Sequence, residues 1–103
     1  MKTVFIEVPQ ENDVFLRIVI LQTEYQIRFT YNDTEDYWTF GIYTPSLLPI
    51  VQGIKIVPNF PLNVFVDRTN MPNVVFGCET VEERVKRYDF RDKKAKFYYV
   101  CAD

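Results

Sequence analysis

The sequence has no histidine. That removes the commonest general base, the usual hydrolase triads and most metal sites. Its three glycines, Gly41, Gly53 and Gly77, are isolated, so no glycine-rich phosphate loop exists. The two cysteines, Cys78 and Cys101, make neither a disulfide framework nor a four-ligand zinc site. They read as reduced thiols packed as small apolar groups, with a bridge between two strand-like contexts as the alternative. No run approaches the ~20 apolar residues that span a bilayer. The start, Met1-Lys-Thr-Val-Phe-Ile-Glu-Val-Pro9, breaks its short apolar run at Glu7 and Pro9, unlike a signal peptide. The expectation is a soluble product made in the cytoplasm without a signal peptide. An excess of positive charge is also missing. Net charge is −2 and pI about 5.1, which argues against nucleic acid and acidic membranes as partners.

What is present is material for one core. The chain has 103 residues, expected to form a single β domain over 1–103. Hydrophobic residues make up 48% and aromatics 17%, and large rings favour strands. Thr3 to Val8 reads as a strand. Val14 to Leu21 is nearly continuous apolar, which suits a strand buried on both faces or closing a barrel. Tyr25, Ile27, Phe29 and Tyr31 alternate with Gln26, Arg28, Thr30 and Asn32; Trp38, Phe40 and Ile42 alternate with Tyr37, Thr39, Gly41 and Tyr43. Joined by the polar run Asn32 to Asp36, the two predict a β-hairpin. Ile50 to Val57 follows, with Gly53 marking a bulge or a close backbone approach. Leu62 to Asp67, Val74 to Cys78 and Lys96 to Cys101 complete the candidates. The fold class is all-β: a small antiparallel barrel or sandwich of about six to eight short strands. Residues 80–94 are open between a charged loop and a short helix near 80–88, since Thr80 and Glu83 fit a capping box.

No cluster selects a catalytic pair. Asp33, Glu35 and Asp36 sit in a hairpin turn, where Asp is favoured for bonding local backbone. That turn is too short for a calcium loop. The expectation is a protein that is not an enzyme and has no cofactor or metal. Between Glu82 and Lys96 there are seven basic and four acidic residues, leaving the remainder strongly acidic. That segment reads as a solvated loop or an electrostatic contact with a protein partner rather than a phosphate grip. Trp38, Phe40, Tyr25 and Phe29 read as core. Tyr37 and Tyr43, opposite Trp38 and Phe40, and Tyr98, opposite Phe97 and Tyr99, are then candidate interface residues, being apolar with one polar handle. A carbohydrate or peptide surface would use the same tyrosines.

The stretch Tyr25-Gln-Ile-Arg-Phe-Thr-Tyr-Asn32, its polar turn and Tyr37-Trp-Thr-Phe-Gly-Ile-Tyr43 resemble the central hairpin of the cyanophage-type baseplate plug family. Leu48-Pro-Ile-Val-Gln-Gly53-Ile-Lys-Ile-Val57 and Phe97-Tyr-Tyr99 continue the likeness, which spans roughly residues 24 to 101. Pro58-Asn-Phe-Pro-Leu62, Asn73-Val-Val-Phe-Gly77 and the long charged segment depart from the family pattern. The resemblance implies a structural component of a contractile-tailed phage, prophage or tail-like particle, located in the virion baseplate. The implied partners are hub, spike and tail tube, with the chain oligomeric in the particle. Trp38 and Phe40 would be core anchors and Gly53 a backbone-approach position. The alternatives are a β-sheet module binding carbohydrate or peptide through exposed tyrosines, and a phage-encoded inhibitor or regulatory binder.

Overall fold

The computed structural model describes residues 1–63 and 70–101. Seven strands form: β1 (Lys2–Ile6), β2 (Asp13–Ile20), β3 (Thr23–Asn32), β4 (Tyr37–Tyr43), β5 (Pro49–Lys55), β6 (Val75–Thr80) and β7 (Ala95–Cys101). They make two antiparallel sheets, one ordered β1-β7-β6 and the other β2-β3-β4-β5. The sheets stack as a small sandwich and do not close into a barrel. The candidate strand Leu62 to Asp67 falls mostly outside the described residues; Leu62 and Asn63 themselves lie in a turn.

Period-two patterning decides which side chains meet. In the expected hairpin, Phe29 faces Phe40 and Tyr31 faces Trp38. Phe29, Phe40, Phe76 and Phe97 come from both sheets and are almost fully buried. Phe97 is their hub, with ring centroids 5.0 Å from Phe29 and 5.0 Å from Phe40, both edge-on. That geometry suits aromatic quadrupoles and fills the space between the sheets. Cys78 and Cys101 point into this core as free thiols, and burial pushes the Cys78 thiol up to about 12.

Two expectations need correction. First, β2 is an edge strand whose outward residues Asp13, Phe15, Arg17 and Val19 are exposed while Val14, Leu16, Ile18 and Ile20 face the core, so it is buried on one face and not on both, and it closes no barrel. Second, no helix forms at 80–88; those residues bend and turn. Thr80 ends β6, and its hydroxyl donates to the Lys94 carbonyl while accepting from the Glu82 N–H. The chain beyond Thr80 does not coil but runs across to the β3–β4 hairpin, where Arg84 and Lys86 bond Asp36 and Trp38. Val85 and Phe90 insert into the core, and Asp89 is buried, accepting from the Lys86 N–H.

Gly53 sits at the expected bulge. The register between β4 and β5 shifts between Phe40 and Ile42, where Gln52 and Gly53 together oppose Gly41. Gly53 takes φ +69°, a region that favours glycine. No heavy atom would lie within 4 Å of a Cβ there, so Gly53 serves the turn of the backbone and not a close approach. The close approach belongs to Gly41. A Cβ on it would stand 2.8 Å from the Val51 carbonyl oxygen and 3.2 Å from the Gln52 Cα. Gly41→Ala must push β5 away from β4, and a loss of about 1–3 kcal/mol is expected, read as a lower urea midpoint with an unchanged slope.

Candidate assembly surface

The charged segment keeps most of its charges in solvent but is anchored on the fold at a few points. Arg84 donates to the Asp36 carboxylate at 2.5 Å and to the Asp36 carbonyl. The Arg87 guanidinium lies over the rings of Tyr31, Trp38 and Tyr88 and donates to the Gln10 carbonyl. Trp38 Nε1–H donates to the Lys86 carbonyl, and the Phe90 ring stands edge-on to Trp38. The segment therefore caps one end of the sandwich, with Arg84 and Arg87 held against the β3–β4 hairpin. Asp36 also accepts from the Tyr31 hydroxyl. Those two donors, Tyr31 first and then Arg84, hold its carboxyl below the usual range. Burial, followed by that same bond, pushes Tyr31 up to about 12. The turn's local backbone is bonded by Asn32, whose side chain accepts from the Thr34 and Glu35 N–H groups; Asp36 reaches across to the cap instead.

On the outer face of the four-stranded sheet a polar cluster centres on Arg28. It makes a two-pronged ion pair with Asp13 at 2.7 and 2.6 Å and lies over the Phe15 ring. The bond from Arg28 holds the Asp13 carboxyl low, and Arg28 itself is raised. Tyr43 packs edge-on to Phe15 and donates to Gln52 at 3.0 Å. This corrects the expectation that Tyr43 stands exposed: it is 5% exposed, covered by Phe15 and fixed by Gln52. Tyr37 is half-buried, with the Lys55 ammonium over its ring.

Tyr98 lies at the centre of the other outer face. It pairs with Phe5 on β1 and with Gly77 on β6, so three strands meet at its ring. The ring lies over Gly77, where a Cβ would come within 2.5 Å of the tyrosine oxygen. Phe5 stands edge-on to it and is 54% exposed. Thr3, Val100 and Val75 form the next row, beside a shallow recess of about 260 Å³ that also touches Met1 and Phe60. Only Lys96 and its partner Glu79 bring charge to this row of pairs. The three-stranded sheet thus carries an apolar, aromatic outer face, while the four-stranded sheet carries a polar one. Large apolar patches on a small protein mark contact surfaces. Phe5 and Val75 were missed by the sequence reading; the register that sets them around Tyr98 needs strand order, and their alternation alone could not supply it.

Among the described residues, no three His, Cys, Asp or Glu side chains gather as a metal site. Trp38 and Phe40 are both 1% exposed, core anchors in position. The model of the family described as cyanophage baseplate Pam3 plug gp18 matches residues 1–102. The chain belongs to this cyanophage baseplate plug family. Membership makes it a structural component of a phage tail baseplate, associated there with other baseplate proteins. No curated protein matches it.

Proposed function

We propose that this plug-family protein packs at the junction of tail tube, hub and spike, docking through the outer face of its three-stranded sheet. Its work is binding and not turnover: a stiff sandwich presents a fixed surface to its neighbours. The observation that carries the reading is the apolar patch of Phe5, Tyr98, Val75 and Val100 in a chain that matches the plug family over residues 1–102. Interface centres are enriched in aromatics, as this patch is, and its one flanking cation, the Lys96 ammonium, lies 5.7 Å over the Phe5 ring. Tyr98 is the anchor, Phe5 its exposed flank, and the Lys96–Glu79 pair its polar rim.

The test is peptide mass spectrometry on purified tail particles carrying wild-type chain or Phe5→Asp. The wild type is expected in fixed ratio to hub and tube proteins. Phe5→Asp, which changes an exposed side chain and leaves circular dichroism unaltered, is expected to fall about tenfold or more in the particles, the effect of a desolvated charge at a contact centre. Intact, abundant tails lacking the wild-type chain would sink the junction reading. Undiminished incorporation of Phe5→Asp would move the contact to another face.

A further inference from the structure

We propose that a second copy of this chain adds to β2, edge to edge and antiparallel, with the two Phe15 residues facing each other across a two-fold axis. The four sheet edges are finished differently. Beyond β6 runs the segment 59–63: the Asn59 N–H donates to the Cys78 carbonyl, the Leu62 N–H to the Phe76 carbonyl, and Asn63 brackets Phe76 and Val74. β5 is blunted by Pro49, two register shifts and Gly53. β1 is only five residues long. β2 has eight residues without Pro, Gly or bulge, and among the described residues no strand lies beyond it. Native sheets protect a long regular edge or use it for pairing.

The backbone shows what this edge offers. The Tyr31 N–H donates to the Asn12 carbonyl, which sets the alternation of the β2–β3 ladder. Val14, Leu16, Ile18 and Ile20 bond toward β3. Asp13, Phe15, Arg17 and Val19 direct their N–H and carbonyl groups away from it. The core is also unfinished here. Val14, Leu16 and Ile18 face inward yet stay partly exposed, whereas Ile27 and Phe29 opposite them on β3 are fully buried.

Charge and symmetry choose the occupant. Residues 56–63 join the β5 edge to the β6 edge, so those two edges share one side of the sandwich and the open edges of β1 and β2 share the other. With β2 as the one long regular edge, a second copy that pairs with it edge to edge uses the same strand and meets this chain isologously. Placing Phe15 opposite Phe15 sets Asp13 opposite Arg17 of the second copy, twice, with no like charges facing. Arg28 already holds Asp13 and Glu24 already holds Arg17 within each chain, so each joined row alternates in sign across the interface.

The inference needs only the purified chain and stands apart from the baseplate reading. Sedimentation equilibrium from micromolar to millimolar concentration is expected to show a monomer–dimer equilibrium. Arg17→Asp faces Asp13 with a like charge at two symmetric positions and is expected to weaken the dimer about tenfold or more. Arg17 is exposed, so the variant keeps the wild-type circular dichroism. Phe15→Cys is expected to form a linked dimer under mild oxidation, because Cα atoms about 5.5 Å apart in a bonded antiparallel pair lie within disulfide range. Val19→Cys, which faces no copy of itself in this register, is expected to link far more slowly; both native thiols are buried. A monomer throughout the range overturns the proposal. So does a dimer indifferent to Arg17→Asp, or one that links Val19→Cys as fast as Phe15→Cys.

Discussion

Trp38→Ala is expected to lower folding stability by about 3–5 kcal/mol, a large share of the roughly 5–15 kcal/mol that holds a domain of this size together. The ring is 1% exposed and joins three parts of the molecule. Tyr31 packs on it from β3, Phe90 enters from the charged segment, and the Arg87 guanidinium lies 5.5 Å from its ring. Its N–H donates to the Lys86 carbonyl at 3.3 Å, the one polar bond by which Trp38 itself holds the cap. Removing the ring leaves a cavity at a place where backbone from two distant segments meets, so collapse cannot refill it cheaply. Trp38→Phe separates the contributions: it keeps most of the packing and loses the N–H, with a cost of about 1–2 kcal/mol expected. Urea unfolding followed by circular dichroism measures both. A Trp38→Ala loss under about 1 kcal/mol would mean that the cap is held without Trp38. Hydrogen exchange adds a local readout. Amides of residues 85–92 are expected to lose protection in Trp38→Ala at denaturant levels that leave β3 protected, since the cap is tied to the hairpin chiefly through this ring and the two arginines.

The hairpin that carries Trp38 was legible because alternation over Tyr25 to Tyr31 and Tyr37 to Tyr43 admits one face for the core. β7 was legible for the same reason. The cap was not. Its pattern is two apolar residues, Val85 and Phe90, set among charges, with neither a helical nor a strand period. What fixes it is long-range: Arg84 to Asp36 and Trp38 to Lys86, each 48 residues apart in sequence. Composition counted its arginines as surface charge, yet Arg87 spreads over three rings, where the aliphatic stem and planar guanidinium pack as much as they pair. β2 misled for another reason. A continuous apolar run is shared by a strand buried on both faces and by an edge waiting for a neighbour, and one chain's sequence does not separate them. Tyr43 failed similarly: the outer face of a sheet is exposed by default, but the bulge at Gly53 brings Gln52 onto its hydroxyl and Phe15 onto its ring. The candidate contact face was half legible. Tyr98 was flagged by alternation, whereas Phe5 and Val75 join it only once β1, β7 and β6 are placed in order.

Asn63→Ala is expected to cost about 2–5 kcal/mol, although no charge or large ring is lost. Asn63 is fully buried, and its side chain imitates a strand. Its oxygen accepts from the Phe76 N–H at 3.0 Å and its amide donates to the Val74 carbonyl at 2.9 Å. The Phe76 N–H is an edge group of β6 and the Val74 carbonyl lies just before that strand, and no further strand reaches either among the described residues. Alanine leaves both buried without partners, and each unsatisfied buried group carries a penalty of about 1–3 kcal/mol. Asn63→Asp does not rescue the site: a carboxylate still accepts from Phe76 but faces the Val74 carbonyl with negative charge and no donor, so it is expected to be at least as damaging at neutral pH. Urea midpoints of the two variants, with exchange at the Phe76 amide, are the measurement. Protection of that amide is expected to fall in Asn63→Ala and to persist relative to the rest of β6 in Asn63→Asp. A cost under about 1 kcal/mol with the amide still protected would show that water replaces the side chain and that the edge is wetter than its burial implies. The contrast with β2 gives the result its meaning. The chain commits a buried amide to closing the β6 edge, and the eight-residue β2 edge carries no comparable device, which is the asymmetry expected of a sheet that keeps one edge for a neighbour.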